Sequence, residues 1–326
     1  MLLLGTAVVV VGGDDRTNPQ VYAGLDPAEP EAGETKVPLG DASTPAVATN
    51  GKIAFIRTGP DDAAPKVFVM NDDGSNLTMI AETWFGSHLS WSPDGTKLAF
   101  EDVSGIYLIN PDGTGKTRLP IEPDDHKSPS WSPDGLKLAV GSVEVGRGIS
   151  VINVDGTGRT RLTDGRDPAW SPDGTRIAYT ADDATGVHIY VMNADGSAQR
   201  RVTNLADRRG FPPAPAWSPD SRTIVFAHNE TISVLDVDTR EIRQIAAIGG
   251  NDAGNPIRSG DDDLSSRRGI PVTPRWSPDG EKITFALWES AEACSIWIMN
   301  ADGTDPRELT DNRTCDSAPA WQPRHS

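Results

Sequence analysis

The chain has 326 residues and a formal net charge of −17. That excess of carboxylates works against nucleic acid or an anionic membrane surface as a partner and favours basic or neutral ones. The length exceeds an ordinary single domain, yet it does not force a division, because repeat architectures build one domain from many small sheets.

The N-terminus opens with an apolar run, Leu2 to Val11, ending in Gly12-Gly13. Spanning a bilayer takes about 20 such residues, so no membrane span is expected here. Residues 1–13 suit the core of a secretory signal but lack a basic segment before it and a cleavage pattern after it. They read either as a truncated signal segment whose start lies upstream or as a plain apolar N-terminus. Residues 14–44 are rich in Pro, Gly, Asp and Glu without periodicity, and read as a disordered acidic linker. The remainder, 45–326, is repetitive.

Trp91-Ser92-Pro93-Asp94-Gly95 returns as Trp131 to Gly135, Trp170 to Gly174, Trp217 to Ser221 and Trp276 to Gly280, then in clipped form as Trp321-Gln322-Pro323. A second phrase alternates with it: Asn71 to Gly74, Asn110 to Gly113, Asn153 to Gly156, Asn193 to Gly196, Asp236 to Thr239 and Asn300 to Gly303. The Trp-to-Trp spacings are 40, 39, 47, 59 and 45 residues. Each phrase predicts a hairpin tip: in the first, proline is pre-set for a type I turn, Asp follows and Gly takes the left-handed position that bulges the hairpin, and the second has the same form, with Pro111 at the same turn position in one copy. The runs between them, such as Arg176 to Tyr179 and Ile189 to Met192, are β-branched and aromatic, as strands require. One repeat is then a four-stranded antiparallel meander of propeller-blade length. The expected fold is all-β, a six-bladed β-propeller. Its recurring tryptophans are expected to pack between blades, where burial removes large apolar areas from water.

These phrases resemble the TolB-type, WD-like propeller repeat: Pro-x-Trp-Ser-Pro-Asp-Gly, a basic residue and an Ile-Ala-Phe-like strand, then Ile-Tyr-Val-Met-Asn-x-Asp-Gly and a Leu-Thr ending. Asp167 through Thr203 follows that pattern nearly throughout, and the resemblance extends over about residues 45–323. It implies an extracytoplasmic protein, periplasmic, cell-surface or secreted. Fold alone names no activity. TolB-like proteins add an N-terminal α/β domain, for which the residues ahead of the first repeat are too few. Prolyl oligopeptidase-type peptidases add a catalytic domain, for which the residues after the last repeat leave no room.

The first repeat lacks its Trp, since Pro45-Ala46-Val47 stands where Pro-x-Trp belongs, while Ala318 to Trp321 is a first strand with no repeat after it. The economical reading lets the C-terminal strand complete blade one and close the ring, hiding a sheet edge. The rival reading assigns that slot to Pro45 to Thr49. Ser221 and Thr239 replace tip glycines in the fifth repeat, so looser or differently turned hairpins are expected there.

Spacer lengths point to the working face. From Trp to the second phrase the gaps are 19, 22, 23, 19 and 24 residues; from that phrase to the next Trp they are 20, 21, 17, 24, 40 and 21. The tips share one face and hardly vary; length changes collect in the loops of the other, where binding on a rigid scaffold resides. That face is expected to present Trp84, His88, Asp124, Asp125, His126, Asp164, Arg166, Asp167, Arg208, Arg209, Phe211, Arg313 and Asp316, with Trp288 from a hairpin loop. An insert from Ala246 to Val272 adds Asp261 to Asp263 and Arg267-Arg268. Exposed Trp, Phe and Arg are the types that anchor interfaces. Cys294 and Cys315 fall on this side too, placed so that they either bond to one another or remain free thiols.

Standard chemistry is missing. Gly113 to Thr117 ends like a phosphate-binding loop but has Asn110 where its first Gly belongs. The Asp-rich tips lack the closing Glu of a calcium loop, and neither Gly-x-Ser-x-Gly nor His-Glu-x-x-His occurs. His88 and His126, with Asp124 and Asp125, loosely resemble the metal site of propeller polysaccharide lyases, although the two stand three and five residues ahead of their tryptophans. The reading is therefore a monomeric, non-catalytic scaffold without cofactor or metal that binds a protein or peptide at the variable-loop face. The alternative is a metal-dependent carbohydrate lyase or hydrolase using the axial funnel.

Overall fold

The computed structural model describes residues 50–59, 64–84, 88–121, 127–142, 148–205, 213–248, 270–289, 293–311 and 313–324. Contacts divide the chain into Met1–Val47 and Ala48–Ser326, and everything described belongs to the second unit.

Strands form wherever the β-branched and aromatic runs lie between turn phrases. In chain order they are β1 (Ile53–Thr58), β2 (Lys66–Met70) and β3 (Thr78–Glu82); β4 (Leu89–Trp91), β5 (Leu98–Asp102), β6 (Gly105–Ile109) and β7 (Thr117–Arg118). There follow β8 (Lys127–Trp131), β9 (Lys137–Gly141), β10 (Ile149–Asn153) and β11 (Thr160–Thr163), then β12 (Arg166–Trp170), β13 (Arg176–Asp183), β14 (Gly186–Asn193) and β15 (Arg200–Arg201). The last are β16 (Ala216–Trp217), β17 (Thr223–His228), β18 (Thr231–Asp236) and β19 (Ile242–Ala247), β20 (Ile270–Trp276), β21 (Lys282–Trp288), β22 (Cys294–Asn300) and β23 (Arg307–Glu308), and β24 (Cys315–Trp321). No helix occurs among the described residues, so none there is long and apolar enough to cross a membrane.

β4–β7, β8–β11, β12–β15 and β16–β19 are four separate four-stranded sheets, each an antiparallel meander. An eight-stranded sheet holds the rest and falls into two such groups, β20–β23 and β24-β1-β2-β3, joined by a parallel bridge at Cys294 and Cys315. The C-terminal strand thus lies antiparallel to β1, with Ile53 opposite Trp321 and Thr58 opposite Cys315. Residues 45–49, the rival for that slot, lie outside the described residues. Cys294 and Cys315 are bonded, with their Cα atoms 4.2 Å apart.

The turns have the predicted chemistry. At the first kind of tip the Gly95 amide donates to the Ser92 carbonyl at 2.8 Å, and Gly95 takes φ +66°. The Ser92 hydroxyl donates to Asp94 at 2.6 Å, and the Thr96 amide donates to the same carboxylate oxygen at 3.0 Å. The fifth repeat keeps this geometry with Ser221 at φ +60°, so the missing glycine there costs backbone strain but not the turn. Its second tip does change. The left-handed residue is Arg240, whose amide donates to the Asp236 carbonyl four positions back, so that loop is one residue longer than its counterparts. The expected insert is also shorter than its sequence bounds, because Ile242–Ala247 and Ile270–Trp276 are strands; Asp261 to Asp263, Arg267 and Arg268 lie outside the described residues.

The core lies between sheets. Each of six apolar clusters joins two consecutive strand groups: Leu98 and Phe100 pack with Ala54 and Val69, Ile106 with Val140, Ala139 with Tyr179, Ile189 with Phe226, Ile232 with Phe285, and Ile296 with Phe55. Each fully buried Ile, Leu or Phe contributes about 1.5–3 kcal/mol. Most of the stability therefore resides in sheet-to-sheet faces, which hold the first strands in place.

Candidate functional site

The first strand is a sheet edge in five of the six groups, and in the sixth β24 meets β22 at Cys294 and Cys315; proline suits such a strand because its absent N–H leaves no ladder bond unmade. Ser128-Pro129, Asp167-Pro168, Ala214-Pro215, Thr273-Pro274 and Ala318-Pro319 all stand at the same distance ahead of a Trp. The residue before each proline is left-handed, with φ between +38° and +54°. Register shifts mark β-bulges at Lys127/Ser130, Arg166/Ala169 and Val272/Arg275. Non-glycine residues in that region cost about 1–3 kcal/mol and gather where a side chain must be aimed.

Those bulges aim polar groups into a cavity of about 170 Å³ lined by the first strands of successive groups, among them His88, Ser128, Asp167 and Arg275. The Ser128 hydroxyl donates to Asp167 at 3.0 Å and also lies 3.0 Å from His88 Nδ1. A hydroxyl has one hydrogen to give, so with Asp167 as its acceptor the serine oxygen accepts from Nδ1–H. The His88 Nε2 lies 3.4 Å from the same carboxylate oxygen. The Ser128 amide is fixed by the buried Glu101 carboxylate at 3.1 Å. On the far wall Arg275 donates to the carbonyls of Ala214 and Pro274, at 3.3 and 3.0 Å. Burial pulls its guanidinium down to about 10, opposed by the attraction of Asp167, so it stays charged at neutral pH. Among the described residues it has no carboxylate within 4.0 Å, which leaves its charge available.

The remaining sequence candidates divide. Trp84 is 70% exposed on the loop after β3. Asp164 and Arg313 are exposed and paired with neighbours, Arg161 at 2.5 Å and Asp311 at 3.3 Å. Arg166 pairs with Asp182 across β12 and β13. Two placements correct the sequence reading. Asp316 is fully buried, accepting both of its 2.7 Å bonds from Arg57, because its strand is covered by β1 and β22. Trp288 is partly buried against the cluster of Phe55, Val272 and Ile296, since it is the last residue of strand β21 and pairs with Cys294. Asp124, Asp125, His126, Arg208, Arg209 and Phe211 lie outside the described residues. Among the described residues no three His, Cys, Asp or Glu side chains stand close enough to hold a metal ion.

Sequence reasoning missed Ser128 and Arg275, and also a second cavity. Towards the tips of the first strands an open cavity of about 530 Å³, sharing Trp170, Pro172 and Trp217 with the first, is lined by Trp91, Trp131, Trp170, Trp217, Trp276 and Trp321 with the prolines that follow them. Trp91, Trp217 and Trp321 are buried in the clusters between sheets; Trp131, Trp170 and Trp276 are half-buried and show part of their rings to this space.

A family model described as the TolB beta propeller domain matches residues 44–256. Among solved structures, TolB from Acinetobacter baumannii superposes with a TM-score of 0.64 at 21% identity, covering 84% of this chain and 67% of that one. A putative TolB from Agrobacterium tumefaciens gives 0.60 at 19%, covering 84% and 91%. A nidogen/laminin complex gives 0.63 at 14%, covering 84% and 99%. At these identities the likeness concerns fold. By sequence, an uncharacterised peptidase YuxL of Bacillus subtilis is 40% identical over 50 residues, 15% of this chain and 8% of that protein. A Tol-Pal system protein TolB of Anaeromyxobacter dehalogenans is 39% identical over 46 residues, 14% and 10%. The chain thus spans about a tenth of the length of these curated relatives.

Proposed function

Because the chain belongs to the TolB β-propeller family, we propose that it is a monomeric, non-catalytic extracytoplasmic scaffold that receives a protein or peptide segment at its variable-loop face. In this reading six four-stranded blades form one ring and β24 closes it beside β1. Two features support the ring: the interfaces between strand groups run in cyclic order, and every tryptophan-bearing first strand contributes to one axial cavity. The bond between Cys294 and Cys315 favours an oxidising compartment, as does the Tol-Pal assignment of one relative.

The observation that carries the proposal is Arg275, a charged and partly desolvated guanidinium that lines, with Asp167, His88 and Ser128, a small cavity between the first strands. Donors and acceptors of both signs, fixed by bulged backbone, suit the amide and carboxylate groups of an inserted peptide. Exposed Trp84 supplies an apolar anchor outside it. The test is affinity capture from the source envelope and culture fluid with the natural chain, Arg275→Ala and Trp84→Ala as parallel baits. A specific prey should be lost or weakened at least tenfold with Arg275→Ala. Equal recovery by all three baits rejects this face.

A further inference from the structure

The polar groups around the first cavity are not spent on one another. Arg275 commits Nη1 to the carbonyls of Ala214 and Pro274, and among the described residues its Nε–H and Nη2 edge has no acceptor. Neither nitrogen is shut away from solvent. The same edge of Arg57 grips Asp316 with two bonds of 2.7 Å, so a free one is a ready fork for a carboxylate. Ser90 and Ser130 line the cavity too, each one residue ahead of a repeated Trp, as Arg275 is. Their oxygens accept from the amides of Trp131 and Trp170, at 3.2 and 2.9 Å, which leaves both hydroxyl hydrogens without an acceptor among the described residues. The opposite charge comes from Asp167, whose Oδ1 accepts from Ser128 while Oδ2 has no donor among the described residues.

Arg275 and Asp167 attract one another without closing to within 4.0 Å. A simple anion in this cavity would be repelled by Asp167, and a simple cation by Arg275. A ligand that carries an anion and an N–H donor on one carbon satisfies both. The space of about 170 Å³ suits one such unit, since a cavity of about 150 Å³ already admits a benzene molecule. We propose that this cavity takes an α-carboxylate, on the Arg275 edge and the seryl hydroxyls, together with the N–H on the same α-carbon, on Asp167. That is the chemistry of a peptide's free C-terminus, in which case the proposal rests on the peptide reading above, or of a free amino acid, in which case it does not.

The test follows the side-chain N–H signals of Arg275, Trp170 and Trp217, which all line the cavity, by NMR of the isotope-labelled full chain. The probes are N-acetylglycine for a peptide end, N-acetylglycinamide as its uncharged counterpart, glycine for a free amino acid, and propionate as a carboxylate without the N–H. Saturable shifts from N-acetylglycine or glycine support the site if their Kd is on the order of 10 mM or tighter, as ligands this small allow, and at least about tenfold below that of the amide. Whichever of the two binds more tightly identifies the source. Arg275→Lys, which keeps the charge but loses the fork, should weaken binding about tenfold. Asp167→Asn, which the left-handed backbone tolerates, should weaken glycine and tighten propionate, a reversal that a merely structural role would not produce. Circular dichroism verifies the fold of each variant. No saturable shift from either ligand, equal affinity for N-acetylglycinamide, or unchanged affinity in folded Arg275→Lys overturns the proposal. A captured prey that binds equally well with its C-terminus amidated overturns it for peptides and leaves the peptide reading standing for an internal segment. Saturable glycine binding with no prey captured supports the site and rejects only the peptide reading.

Discussion

Removing the Cys294–Cys315 bond isolates how much the C-terminal strand depends on covalent attachment. The bond closes a loop with a sequence separation of 21, and the chain-entropy relation for a loop of that size gives about 3 kcal/mol. For a unit this large each kcal/mol moves the thermal midpoint by about 2 °C, so Cys315→Ser should melt roughly 6 °C lower. The strand should not detach, because other contacts hold it. Asp316 keeps its fork bond to Arg57, the Gln322 side chain still donates to the Gly95 carbonyl at 2.8 Å, and Trp91 still donates to the Ala320 carbonyl at 3.1 Å. The assay is thermal and urea unfolding of the natural chain and Cys315→Ser, each with and without reductant. The natural chain should fall to the level of the variant on reduction, and the variant should not respond. If reductant leaves the natural chain unmoved and the variant melts with it, the bond contributes nothing and the loop argument fails. A collapse of the folded state would instead show that the noncovalent contacts of β24 are far weaker than their geometry implies.

Three further outcomes follow from contacts elsewhere. Asp316→Ala leaves Arg57, which also stacks on Phe55 and Phe68, without its buried partner; it should cost about 3 kcal/mol in urea unfolding, near the lower end for breaking such a pair because Arg57 reaches water, and a loss below about 1 kcal/mol refutes the assignment. Gly303 has φ +93°, and a Cβ there would stand 1.9 Å from the Ile245 carbonyl oxygen, so Gly303→Ala should cost at least about 2 kcal/mol, whereas an unchanged midpoint would mean that the tip does not touch the preceding sheet. The tip carboxylates, Asp94, Asp112, Asp134, Asp155 and Asp195 among them, have folded values lowered chiefly by side-chain hydroxyl bonds. Their contribution is complete above the unfolded value of about 4 and lost as pH falls through the folded values, so the melting temperature should hold from neutral pH to about 5 and drop below 4; a midpoint that rises on acidification contradicts this.

The turns and strands were legible because they depend on neighbours in sequence. Proline, Asp and Gly in a fixed order close a hairpin wherever they stand, and alternating phrases set the strand lengths between them. Even the departures could be located, since Ser221 and Thr239 flagged the fifth repeat, though not that the first tip would keep its geometry while the second gained a residue at Arg240. Burial was less legible. Asp316 resembles any loop aspartate until β1 is laid beside it, and that pairing spans 259 residues of chain. Trp288 resembles an exposed hairpin residue until β21 is seen to extend as far as it.

The first cavity was hidden as a unit for a related reason, although His88 and Asp167 were among the expected rim residues. Ser128, Asp167 and Arg275 belong to different repeats and meet only after the sheets have packed, so no local pattern marks them as a set. What the sequence does carry is their common address: each lies within three residues ahead of a recurring Trp, beside a proline. In a repeat protein such an address is repeated while its occupant varies. Ser128, Asp167, Ala214, Thr273 and Ala318 share one strained backbone conformation and have little else in common. Constant geometry with changing chemistry is the expected arrangement where a scaffold presents side chains to a partner, because the turns and interfaces meet the folding cost and leave those positions free to specialise. The tryptophans show the opposite arrangement, with constant chemistry at a constant address. Packing between sheets accounts for the buried part of each indole, and the turn accounts for the carboxylate after it, which accepts from the seryl hydroxyl two residues before it and from the amide two residues after it. That role predicts that Asp134→Asn and Asp173→Asn, which weaken these turn bonds, each lower the urea midpoint in protein that remains folded, and an unchanged midpoint rejects it.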